Sequence, residues 1–226
     1  MSQIRLRPSS KVLRLAAVLL TVSSASQAAV FNFDTDPFAG STALETPGRQ
    51  VVANELFIPN FNFSADVISF NAAVFGVGPN VGFFNGVASA VPPGGRNVIV
   101  LQDLDDGDAT NGQSLNAIQS ANLIAERVSQ PGAGFYVYFN TGLNLNRLVY
   151  STDLDSPTAD LKIIARFTDQ TGEDGIGALS QYSAANFAFV PGPAAFVPEP
   201  ASIGLMVAGL AGMVLRRRAD KSGSRA

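Results

Sequence analysis

The sequence predicts a mainly β fold, a β-sandwich or jelly-roll-like body with one helix, and three observations lead there. Short runs of β-branched and aromatic residues recur between residues 29 and 190, broken by Gly, Pro, Asn and Asp. Several of these runs alternate with the two-residue period of a strand. Only residues 114–132 carry the longer period of an amphipathic helix.

Taken in order, "AVFNFD" at residues 29–34 reads as a first strand. Residues 50–58, 66–75 and 97–103 are the next candidates, and the Asn/Gly/Phe-rich stretches "PNFNFS" and "VGPNVGFFNG" read as loops with buried aromatics. In "SLNAIQSANLIAERVSQPG" the residues Leu115, Ile118, Ala121, Ala125 and Val128 form one stripe. Ser114 is placed to cap the helix, and Pro131-Gly132 to end it. This helix is expected over a sheet edge or end. "GFYVYFN" at residues 134–140 puts Phe135, Val137 and Phe139 on one face and Tyr136 and Tyr138 on the other, as a central strand covered on both sides would. "NRLVYST" follows at hairpin spacing. Residues 160–169 should turn Leu161, Ile163, Ala165 and Phe167 inward and Lys162 and Arg166 to solvent. Residues 184–192 supply a last strand. These spacings suit a sandwich or jelly roll.

The ends have a different composition. Residues 1–28 run from basic (Arg5, Arg7, Lys11, Arg14) through apolar "LAAVLLTV" to small residues, the order of a secretory signal peptide cut after Ala28. Residues 29–190 form the β-rich extracellular domain and residues 191–200 a stiff Pro-rich linker. Residues 201–226 are a short transmembrane helix with an Arg-rich tail. Its uncharged run, residues 201–215, spans only ~22 Å as a helix against a hydrocarbon core of ~30 Å. It is a marginal anchor, with its arginines on the cytoplasmic side. Between the two ends lie six basic and sixteen acidic side chains, which disfavours nucleic acid as a partner.

Val197, Pro198, Glu199 and Pro200, a short Gly/Leu-rich apolar run, and Arg216, Arg217 and Arg218 follow one another at the C-terminal end. This tail resembles the PEP-CTERM sorting signal, a label that some schemes replace with ice-binding protein C-terminal domain. The resemblance implies that an exosortase-like membrane enzyme recognises the tail. The chain would be exported by the secretion machinery, tethered in transit to the inner membrane, and delivered to the cell surface or extracellular matrix. It makes the seven named residues sorting determinants and says nothing of the body.

For the body, composition excludes much. With no Cys and no His, thiolate catalysis, Cys/His zinc sites and a Ser-His-Asp triad are out of reach. Carboxylate pairs such as Asp153 with Asp155, or Asp169 with Glu173, are ordinary loop features, so no enzyme is expected. "DLDDGDATNG" places Asp103, Asp105, Asp106 and Asp108 close together as candidate calcium ligands, although Gly107 stands where an EF-hand loop needs an oxygen. No other cofactor is expected. A structural or adhesive role follows. The alternative is calcium-dependent binding of exopolysaccharide, with Tyr136, Tyr138, Tyr150 and Tyr182 as stacking candidates. No regular Thr-x-Thr ladder supports ice binding.

Overall fold

The computed structural model describes residues 28–103 and 115–192. Its strands are β1 (Val30–Phe33), β2 (Val51–Val52), β3 (Leu56–Ile58), β4 (Val67–Asn71), β5 (Phe83–Gly86), β6 (Val98–Leu101), β7 (Gly134–Asn140), β8 (Leu145–Ser151), β9 (Leu161–Thr171) and β10 (Phe187–Val190). Helix α1 (Ala117–Ala125) lies between β6 and β7, and α2 (Gly172–Leu179) follows β9.

The strands make two sheets. The larger runs β2-β9-β8-β7-β6-β5, with β3 also paired to β9; the smaller runs β1-β4-β10. β7, β8 and β9 form an antiparallel meander, while β5, β6 and β7 are parallel neighbours. The small sheet is parallel throughout. A β-rich two-sheet body is therefore present, but the antiparallel ladder of a jelly roll is not.

Alternation along β7 sets the layers. Phe135, Val137 and Phe139 face a core shared with Ile68 and Phe70 of β4 and Phe187 and Phe189 of β10. The rings of Phe70 and Phe135 stack across the two sheets at 3.8 Å between centroids. Tyr136 and Tyr138 face the opposite way, with Ile99, Leu101 and the α1 residues Ala117, Ala121 and Ile124. The large sheet is thus the middle of three layers, which explains why β6 and β7 are buried along their whole length.

Several expectations are corrected. α1 covers a sheet face rather than an edge or end. Its cap is Asn116, whose side chain accepts from the N–H groups of Ile118 and Gln119, while Gln119 closes a capping box. Ser114, the expected cap, lies outside the described residues. The buried stripe is Ala117, Ser120, Ala121 and Ile124; Ile118 is exposed. The helix ends at Ala125, well before Pro131. α2 and β5 are additional elements in stretches without a clear helical or strand period.

β9 departs most from expectation. Val149 pairs with Ile163, but Leu148 pairs with Ala165, so Ile164 is an extra residue, a β-bulge. The bulge reverses the alternation. Leu161 and Ile163 face the helix side, whereas Ala165 and Phe167 face the small sheet. Lys162, expected in solvent, is only 9% exposed.

Candidate binding site at the broken edge strand

The bulge coincides with a break in the edge of the large sheet. β2 ends with Val52 opposite Lys162, and β3 resumes with Leu56 opposite Ala165. Between them residues 53–55 leave the ladder, and Asn54 takes φ of 145°, a value side-chain-bearing residues seldom adopt. A cavity of about 410 Å³ opens at this break. Its apolar wall includes Phe33, Leu56, Phe75 and Ile164, and Thr35, Asp36, Asn54, Glu55 and Lys162 contribute polar residues.

Two charge arrangements meet here. The Glu55 carboxylate accepts from Arg147 Nε at 3.1 Å and Nη2 at 2.8 Å, and from Arg166 Nη2 at 2.5 Å. Burial works to raise the Glu55 carboxyl, but the bonds from Arg166 and Arg147 outweigh it and hold it below the usual carboxylate value. The Arg166 guanidinium also lies 5.2 Å from the centre of the exposed Phe57 ring.

Lys162 has no such answer. It stands opposite Tyr150 on β8, on the face that carries the core between the sheets. Among the described residues no hydrogen bond or ion pair reaches its side chain. Burial lowers its pKa. Asp36, at the same cavity, accepts from the Phe38 N–H at 2.9 Å. Burial, with a smaller contribution from Asp36, pushes the Tyr150 hydroxyl up to about 12, and that hydroxyl donates to the Phe75 carbonyl. A lysine on an apolar wall can hold the anionic end of a small molecule whose body packs on the rings. Sequence reasoning missed this site, although the run Ile163-Ile164-Ala165, which interrupts strict alternation, was a visible sign of a bulge.

The structure bears differently on the residues chosen from sequence. Asp103 lies just past β6, where its carboxylate accepts from the Ala88 N–H. Asp105, Asp106 and Asp108 lie outside the described residues, as do Val197, Pro198, Glu199, Pro200, Arg216, Arg217, Arg218, the proposed transmembrane helix and residues 1–27. Among the described residues no three acidic side chains gather as a metal site, and no helix is long and apolar enough to cross a membrane. The four tyrosines are not a stacking platform. Each is at most 6% exposed, and their hydroxyls bond inside the fold: Tyr136 to the Ala117 carbonyl, Tyr138 with Asn140, Tyr150 to Phe75 and Tyr182 to Gln170. Asp153 spends Oδ1 on the N–H groups of Gly132 and Asp155, a turn-building arrangement.

Residues 196–218 match the model of the PEP-CTERM protein-sorting motif. The chain carries that motif, which implies export through an exosortase-type membrane enzyme to the cell surface or beyond. No curated protein and no solved structure matches the chain.

Proposed function

We propose that this is a non-catalytic protein of the cell surface or extracellular matrix with a structural or adhesive role, released to its place by exosortase processing of its tail. The observation that carries the export in this reading is the sorting motif at residues 196–218, a few residues beyond β10, which ends at Val190; the structural or adhesive role is inferred from the missing catalytic residue types in the sequence. The experiment is fractionation of an exosortase-bearing host, with intact-mass measurement of the purified protein. The native chain should appear outside the inner membrane without the residues after about Pro200. A variant with Pro198, Glu199 and Pro200 replaced by Ala should stay in the inner membrane with its tail uncut. Full-length native protein in the cytosol would overturn the proposal.

Lys162 favours a second reading, in which the body also binds a small amphiphilic anion. The naphthalene sulfonate dye ANS is a suitable probe. Its fluorescence should rise saturably at one site on the native protein and lose that response in Lys162→Met, with unchanged circular dichroism. Equal binding by both proteins would remove this reading.

A further inference from the structure

Of the carboxylates sequestered from solvent, Glu55 is answered by two guanidiniums and Asp66 by no basic side chain among the described residues. Asp66 is 5% exposed. Its Oδ1 accepts from the Ala29 nitrogen at 2.7 Å, and its Oδ2 accepts from the Asn62 N–H at 2.9 Å. Ala29 is held from its other side too, because its carbonyl accepts from the Val67 N–H at 2.9 Å. Its nitrogen is therefore fixed against the carboxylate at the point where the β1–β4 ladder begins.

Capping a loose backbone N–H does not need a charge. Neutral amides do it elsewhere in this fold, where Asn97 Oδ1 accepts from Gly82 and Asn71 Oδ1 from Ala73 and Val74, and the carboxylates of Asp36, Asp153 and Asp160 that also do it are exposed or only half-buried, unlike Asp66. An ionised carboxylate buried beside two neutral donors carries a desolvation cost that an asparagine would avoid. The cost is offset if one donor is cationic. Ala29 is also the residue that the small-residue pattern of the leader places just after the cut.

We propose that Asp66 is the receiving site for the α-ammonium of a mature N-terminus at Ala29. Hydrolysis of the Ala28–Ala29 peptide bond by a signal peptidase, with one water consumed, leaves the Ala28 carboxylate on the leader and an ammonium on the body. The 2.7 Å amide–carboxylate bond becomes a charge-assisted ion pair. Removal of the leader thereby places a charge at the start of the first ladder and stabilises the exported form over the precursor. A chain cut even one residue earlier or later would put the charge out of register with Asp66.

The proposal rests on the export reading, and the test keeps the two apart. The full chain is passed through its secretion route, the exported protein is sequenced from its N-terminus, and its α-amine is trace-labelled with acetic anhydride. A first residue of Ala29 and an amine that labels roughly tenfold more slowly in the folded than in the unfolded protein, as expected for one unit of added proton affinity, are the supporting results. In Asp66→Asn the steric surroundings persist but the charge does not, so labelling should return toward the unfolded rate. If that variant does not fold, Nα-acetylation of the wild-type protein should lower its melting temperature by several degrees. An N-terminus at another residue, an Ala29 amine that labels at the unfolded rate, or one equally slow in Asp66→Asn overturns the pairing while leaving export standing. An uncut chain in the cytosol overturns both.

Discussion

Glu55 is the residue with the most to lose. Replacing it by Gln leaves two guanidiniums facing each other across the β8–β9 pair without a counter-charge. Breaking a buried ion pair from one side is expensive, and the partial exposure of Arg166 softens the cost to about 2–4 kcal/mol. Urea unfolding at neutral pH checks this. The same carboxylate gives the acid limb a sign. Its pKa is depressed in the fold, so its contribution is present above the unfolded value of about 4.3 and is lost as pH falls through the folded value. Glu55→Gln should therefore lose stability less steeply than the native chain on acidification. At this scale the sequence was legible where a residue followed the strand period, as on β7. It was illegible at Lys162 and Glu55, because their surroundings depend on a bulge and a broken edge. The acidic run from Asp103 to Asp108 remains a proposal for calcium, and a rise in melting temperature with millimolar calcium is the expected sign; an unchanged melting curve would exclude it.

Among elements, α2 shows why a real helix left so little trace. Gly172, Gly175 and Gly177 depress its helix propensity, and packing overrides the penalty. Gly175 is there for space. A Cβ would sit 2.4 Å from the Gln170 carbonyl oxygen and 3.0 Å from the Phe139 ring. Gly175→Ala should cost about 1–3 kcal/mol, since backbone must move to admit the methyl. At Gly177 a Cβ meets nothing within 4 Å, so Gly177→Ala should stabilise by about 0.5–1 kcal/mol through helix propensity alone. Thermal melts of the two variants should thus shift in opposite directions; a shared direction would show that the glycines serve some other end. β5 hid for a related reason, since Asn85 and Gly86 are poor strand formers rescued by pairing with β6. α1 was found because an amphipathic period survives even when its cap and its exact stripe are misplaced by a few residues.

Across the whole molecule, the small sheet ties together the beginning and the end of the body. β4 is its centre, β1 lies on one side and β10 on the other, and both pair with β4 in parallel. Such pairings join residues far apart in sequence, which no local period reveals; this is why the strands could be read but not their order. They also set a folding requirement. β10 brings Phe187 and Phe189 into the core between the sheets, where Phe189 lies against Phe70 and Phe135, and the Val190 carbonyl accepts from the Ala72 N–H. The core cannot close until the segment just before the sorting motif has been delivered. A chain ending at Ser183 loses both rings, each worth about 1.5–3 kcal/mol of buried surface, together with one whole strand, against a typical total stability of about 5–15 kcal/mol. It should show no cooperative thermal transition. A chain ending at Gly192 keeps β10 and should melt at the temperature of the native exported protein, because the tail beyond it serves sorting. If the shorter chain melts cooperatively, β10 is dispensable and the small sheet does not close the core.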